Sequence, residues 1–414
     1  MKRILFAAEA VSLAQVVRLV SLARALDPRR YEVHFASALF DDLVFGGPDV
    51  AHFVRHPIAS LPAAVVDRRV ARGLRPYGAR ALSRYVREEL ELFEAIRPAL
   101  VVGDLRLSLA VSAPLARVPH ACLINAYWSP YAERDGFPLP DHPIVRLLGV
   151  GRAARHFATA LPYVFRHFAR PVNALRRAHG LPELGSLPEV LTHGDHTLYA
   201  DVPALAPTRG LPSNHRYLGY VPWSPPIALP AWWDRLDPDR PLVYVTLGSS
   251  GRVDRLPFVV EAAASLGCEV IVATAGRTTL DTGAAHVHVA DYLPGHLAAR
   301  RAWVVVSNGG STTGYQALAE GRPVLGVAFN LDQYLTMQAV ERFGAGLTLR
   351  SGTLAHRDVT RSLERLFGEP SFSTRARAAR DELARWDSGA RFRAFVEETT
   401  GTGSARDGGL RATT

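Results

Sequence analysis

Short apolar runs alternate with amphipathic stretches along the first 125 residues. Lys2 to Ala8 has the length of a buried strand, and Tyr31 to Ser37 is a second one. Between them, Ser12 to Leu26 carries apolar residues at Val16, Val20, Ala23 and Leu26, the spacing of one helix face, and Asp27-Pro28 stops it. The pattern continues with a helix over Leu82 to Ile96, a strand over Ala99 to Gly103 that runs into Asp104, a helix over Ser108 to Leu115 and a strand over Pro119 to Asn125. Apolar strands separated by helices require a parallel sheet covered on both faces.

The alternation lapses and then restarts. Pro203, Pro207, Pro212, Pro222, Pro225, Pro226, Pro230 and Pro238 crowd a stretch with little periodicity, which reads as a linker over 203–240. After it come strands over Leu242 to Leu247, Glu269 to Ala273, His286 to Val289, Trp303 to Ser307 and Val324 to Val327, with helices over Arg255 to Leu266, Thr313 to Glu320 and Asp332 to Phe343. The expected fold class is therefore α/β, two doubly wound Rossmann-like domains over 1–202 and 241–400 with a cleft between them, and a tail over 401–414 that is rich in Gly, Thr and Ser. Ligands of open parallel sheets lie beyond the carboxyl ends of the strands, which selects Glu9, Asp104, Asn125, the Leu247-Gly248-Ser249-Ser250 turn and the run beginning at Asn308.

Composition narrows the class. A chain of 414 residues, 48% hydrophobic and 21% charged, is globular and too long for one core. Cys122 and Cys268 stand far apart, outside any Cys/His cluster, so neither a disulfide scaffold nor a zinc site is expected and a reducing cytoplasm fits. Glu9 interrupts the first apolar run, against a signal peptide, and no run reaches the ~18 residues of a membrane span. Lys2 is the only lysine in a chain of net charge +9, so arginine carries nearly all the basic charge. It is spread over helix faces among 39 acids, without a nucleic-acid-binding module, and a nucleic-acid partner is not expected.

From Pro143 to His179 the chain turns wholly helical, an excursion over 143–180. Arg152, Arg155, Arg166, Arg170, Arg176 and Arg177 stand among Phe157, Leu161, Tyr163, Phe165 and Phe168. Residues 152–177 suit a membrane surface or the mouth of an acceptor pocket; they equally suit a helix packed on its own domain with solvated arginines.

Ser307-Asn308-Gly309-Gly310-Ser311-Thr312-Thr313-Gly314-Tyr315-Gln316-Ala317-Leu318 joins a strand to a helix. Glycines let backbone approach a phosphate, and the following helix offers free N–H groups and a positive dipole end. Gly321-Arg322-Pro323, Asn330-Leu331-Asp332-Gln333 and Gly344-Ala345-Gly346 follow at fixed spacing. In that order and spacing the segment resembles the donor signature of GT-B glycosyltransferases of family 1, the UDP-glycosyltransferase and natural-product type, and the likeness extends over most of the chain.

The resemblance implies a GT-B enzyme whose N-terminal domain takes a small-molecule acceptor and whose C-terminal domain takes a nucleoside diphosphate sugar, a UDP-sugar by the family's habit, with no metal and no other cofactor. It implies that Gly309, Gly310 and Thr313 hold the diphosphate with Ser249 and Ser250, that Tyr292 and Leu293 sit where the base is read, that Gln316 meets the ribose, and that Asp332 and Gln333, beside Asn330, meet the sugar. Asn308 and Thr312 replace the family's phosphate-contacting histidine and a glycine. Gln15 stands in the slot of the base histidine, and glutamine takes no proton. Asp104 and Glu9 then remain as candidate bases, unless the acceptor is nucleophilic enough to need none or catalysis is lost. Asn125, Tyr127 and Trp128 form an aromatic loop on the acceptor side, suited to stacking on a flat acceptor or to packing the cleft. The expected function is inverting sugar transfer; the alternative is a non-catalytic relative that binds a nucleotide sugar or a partner enzyme.

Overall fold

The computed structural model describes residues 1–72, 74–142 and 144–401; of the expected tail, residues 402–414 lie outside them. The elements run β1 (Lys2–Ala8), α1 (Leu13–Arg24), β2 (Tyr31–Ser37), α2 (Asp42–Phe45), β3 (Val54–Pro57), α3 (Ala63–Ala71), α4 (Ala79–Ile96), β4 (Leu100–Asp104), α5 (Leu109–Ala116), β5 (His120–Ile124), α6 (Ile144–Ala178), α7 (Leu187–Leu191), β6 (His196–Tyr199) and β7 (His215–Tyr217). They continue with β8 (Leu242–Thr246), α8 (Leu256–Ala264), β9 (Glu269–Ala273), β10 (Val287–Ala290), α9 (Gly295–Arg301), β11 (Val304–Ser307), α10 (Ser311–Ala319), β12 (Val324–Ala328), α11 (Leu331–Phe343), β13 (Gly346–Arg350), α12 (His356–Gly368), α13 (Pro370–Ala384) and α14 (Ser388–Gly401).

Two parallel sheets result. The first has seven strands in the order β3-β2-β1-β4-β5-β6-β7 and the second six in the order β10-β9-β8-β11-β12-β13. Both reverse direction beside their first strand, between β1 and β4 and between β8 and β11, which is where open sheets leave a crevice at their carboxyl ends. The central strands are apolar on both faces because helices cover both: Ile4, Phe6, Val102, Val243 and Val305 are fully enclosed.

Two boundaries differ from the expectation. β7 lies within 203–240, so the first sheet continues past residue 202 before the chain crosses to the second. α14, expected with the C-terminal domain, crosses back and packs on α1 and β4, with the Phe392 ring 5.9 Å from that of Phe6. The strands missed by sequence include β3 and β7 at the two edges of the first sheet and β6 beside β7, whose three or four residues give no measurable alternation.

Candidate functional site

β1 and β4 pair with Ala8 opposite Asp104, and the Glu9 N–H donates to the Asp104 carbonyl at 3.2 Å. The switch point of the first sheet thereby sets both candidate carboxylates side by side. Neither is free. Asp104 is completely buried and accepts both Nε–H and Nη2–H of Arg18, at 2.9 and 2.8 Å. Burial pushes its pKa up to about 6, against the pull of the Arg18 charge. Glu9, also buried, accepts from Arg106 Nη1 at 3.0 Å and from the Ser60 hydroxyl at 2.7 Å, and burial raises its pKa against Arg106. Arg106 is shared with Glu89 at 2.7 Å. Gln15 is a helix cap: its Oε1 accepts the backbone N–H of Ser12 at 2.6 Å and the Ser12 hydroxyl at 2.8 Å.

Arg18 escaped the sequence reading. It sits between Val16-Val17 and Leu19-Val20 on α1 and is nearly enclosed; the available signal was a lone charge inside an apolar run directly after a strand. Its Nη1 donates to Asn125 Oδ1 at 2.6 Å, and Asn125 Nδ2 donates to Asp201 at 3.0 Å. Asp201 also accepts the Tyr315 hydroxyl of α10 at 2.5 Å, and Ser311 Oγ reaches Asn125 Oδ1 at 3.4 Å. Asn125 is thus a junction between the sheets. Tyr127 and Trp128 point across the cleft as well: Trp128 Nε1 donates to Asp332 Oδ1 at 2.7 Å and the Tyr127 hydroxyl at 3.2 Å, while Thr336 donates to the Tyr127 oxygen at 2.9 Å. Both rings are buried, Trp128 against Phe137 and Phe165, so they pack the cleft and offer no open stacking face.

The second sheet supplies the turns. Gly309 has φ +78°, and a Cβ there would stand 2.8 Å from Met337 Cγ, so only glycine fits. Asn308 ties two turns together, accepting from Gly310 N–H at 3.0 Å and donating to Ser250 Oγ at 3.2 Å. Next to Ser249, Arg277 donates to the carbonyls of Gly248 and Gly251 at 3.2 and 2.7 Å, a cation beside the expected phosphate turn that the motif did not reveal. α10 starts at Ser311, and its first intrahelical bond is from Gly314 N–H, so the Ser311, Thr312 and Thr313 N–H groups face its open end. Thr312 Oγ1 and Gln333 Nε2 are buried with no hydrogen-bond partner.

Asn330 and Gln333 form a capping box on α11: Asn330 Oδ1 accepts from Gln333 N–H and Gln333 Oε1 from Phe329 N–H, both at 3.0 Å. That leaves the orphaned Nε2 of Gln333 beside Asp332. Burial raises the Asp332 pKa, opposed by the bonds from Trp128 and Tyr127 and by the Arg18 charge. Gln316, expected at the ribose, donates from Nε2 to the Trp223 carbonyl at 2.9 Å, and its Oε1 packs so tightly on Gly295 that a Cβ would lie 2.3 Å away. Tyr292 donates to the Ala275 carbonyl at 3.1 Å and Leu293 is buried. Among the described residues no three His, Cys, Asp or Glu side chains are grouped as metal ligands, and no helix is long and apolar enough to cross a membrane.

Comparison with known proteins agrees with the two-sheet fold. Residues 257–390 match the model of the C-terminal domain of erythromycin biosynthesis protein CIII-like proteins. A PGL/p-HBAD biosynthesis rhamnosyltransferase of Mycobacterium bovis is 49% identical over 93% of this chain and 85% of its own length. A PGL/p-HBAD biosynthesis glycosyltransferase of Mycobacterium tuberculosis is 48% identical over 91% and 87%. The solved structure of the spinosyn forosaminyltransferase SpnP superposes with a TM-score of 0.69 at 20% identity, covering 97% of this chain and 99% of that one.

Proposed function

Because the chain belongs to the family of the mycobacterial PGL/p-HBAD biosynthesis glycosyltransferases, GT-B enzymes of natural-product type, we propose that it moves a rhamnosyl or related deoxyhexosyl group from a nucleoside diphosphate to an acidic hydroxyl, with inversion. The carrying observation is the pair of orphaned buried groups, Thr312 Oγ1 at the start of α10 and Gln333 Nε2 beside Asp332. Buried donors without partners carry a cost of about 1–3 kcal/mol each. A diphosphate at the α10 N-terminus and a sugar hydroxyl at Gln333 would remove it.

The chemistry is a single displacement. The acceptor oxygen attacks the anomeric carbon as the bond to the phosphate oxygen breaks, and the departing charge meets the Ser311–Thr313 N–H groups and the α10 dipole. This scheme assigns no step to a metal. None of the three candidates is a free base: Gln15 caps α1, and Asp104 and Glu9 are locked to arginines. An acceptor with a pKa near that of a phenol, about 10, ionises far more readily than an alkyl alcohol and needs no strong base. Arg18 and Asp104 then fix the cleft floor rather than exchange a proton with the acceptor.

Thermal melts with UDP and TDP, followed by transfer assays from the matching rhamnosyl donors, test the reading. A diphosphate at 100 times its Kd stabilises by about 2.7 kcal/mol, and phenols should be glycosylated faster than alkyl alcohols of equal size. No shift with either nucleotide and no transfer to either acceptor class would overturn it.

A further inference from the structure

The arginines look evenly spread until they are counted by element. Residues 63–75 and 144–178 hold eleven arginines and a single acid, Asp67, so these two segments carry more positive charge than the net +9 of the whole chain, and the remainder is close to neutral. α6 itself has no Asp or Glu in 35 residues. Elsewhere the surface arginines are interspersed with carboxylates, and many pair with them, as in Arg30–Glu397, Arg216–Glu398 and Arg300–Glu320. Arg152, Arg155, Arg166 and Arg170 are exposed, and among the described residues none of them has such a partner.

Apolar groups accompany them. Tyr163 is 67% and Val150 46% exposed on α6, and Val70 and Leu74, on or just beyond α3, are 41% and 52% exposed. Ala169 and Val172 of α6 pack in one small core with Leu61 and Tyr77, the residues that flank 63–75 on either side, so the chain enters and leaves that segment on the flank that α6 covers. Arg166 lies over the Tyr163 ring, 4.8 Å from its centre. An unneutralised row of guanidinium groups around an exposed aromatic ring is the make-up of a surface that adsorbs to anionic lipid: the charges meet headgroups while the ring enters the interface. The inner face of α6 carries Phe165, which packs on Trp128, the residue that bonds Asp332. A bilayer beneath α6 would therefore lie one helix diameter from the cleft.

We propose that the exposed face of α6, with α3 beside it, docks this enzyme on an anionic membrane surface, from which an amphiphilic acceptor enters the cleft. Sedimentation with phosphatidylcholine vesicles, with and without 30% phosphatidylglycerol, tests it on the full chain. Binding is expected only to the anionic vesicles and should fall steeply between 0.05 and 0.5 M salt. Each surface-bound arginine contributes roughly fivefold to partitioning, so a variant with Arg152, Arg155, Arg166 and Arg170 all changed to Gln should lose more than 100-fold. Tyr163→Ser alone should lose several-fold at constant charge. A melting curve and transfer to a water-soluble acceptor, both unchanged, show that the variants are folded. Wild-type protein that ignores anionic vesicles, a four-fold variant that binds as well as wild type, or single-stranded RNA held more tightly than vesicles and lost with the same arginines would each overturn the proposal. Failure to bind nucleotide would leave the membrane result standing, so the two readings fail separately.

Discussion

Arg18 closes a bidentate ion pair on Asp104 at 2.9 and 2.8 Å, both side chains shut away from water. In the family pattern an aspartate near this place pairs with a histidine base. Here the partner is a permanent cation that cannot take up a proton. The pair therefore organises the cleft through Asn125, and its loss should be felt by both sheets.

Asp104→Asn tests that role. The folded carboxyl titrates near 6 and the unfolded one near 3.8, so between those values the folded chain holds a proton that the unfolded chain has released. Stability should fall as pH rises from about 4 to 6 and then level off, and the variant should lack that slope in denaturant titrations followed across pH. Below pH 6 the protonated acid lets Arg18 go, so kcat/KM of the wild type should drop there. In Asp104→Asn it should be low and flat across the same range, because a neutral amide leaves Arg18 uncompensated.

Asp332→Ala should remove transfer while nucleoside diphosphate binding stays within about threefold, since the proposed contact of the carboxylate is with the sugar. The substitution also strips Trp128 and Tyr127 of their acceptor. Calorimetric titration with the diphosphate alone, set beside turnover, separates the effects; equal losses in both would move Asp332 to another part of the donor.

Gln15→His restores the residue of the family pattern but removes the α1 capping bond to Ser12. A stability loss of about 1 kcal/mol is expected in urea unfolding. Transfer to phenols should stay within a few fold. A large gain towards alkyl alcohols would show that the cleft lacks only a base.

Tyr315→Phe should cost about 1–3 kcal/mol, because it leaves a buried oxygen of Asp201 short of a donor. The loss should appear as a lower melting temperature that bound nucleotide partly restores.

Strands and glycine turns were legible because period and backbone conformation are written locally: β1, β4, β8 and β11 follow their apolar runs, and Gly309 its positive φ. The turn from Ser307 into α10 was legible for the same reason, whereas its donor role is read from the family resemblance. What could not be read is who pairs with whom. Asp201, Arg277 and Arg18 act through partners 26 to 114 residues away, a matter of packing that no spacing rule encodes. Gln15 and Gln316 were assigned by position in a motif, whereas their amides serve a helix cap and the Trp223 carbonyl. The edge strand β7 hid inside a proline-rich stretch because Pro marks a boundary only on average.

The return of α14 to the first sheet gives the chain two covalent crossings between its halves, one after β7 and one before Ser388. A single tether would let the halves swivel and drift apart; two spaced tethers convert that freedom into a hinge whose axis runs between the crossing points. Opening of the cleft is then a rotation of limited span, and Phe392 and Phe395, seated against the first sheet, act as the pin that must stay in place while Trp128 and Asp332 part and meet.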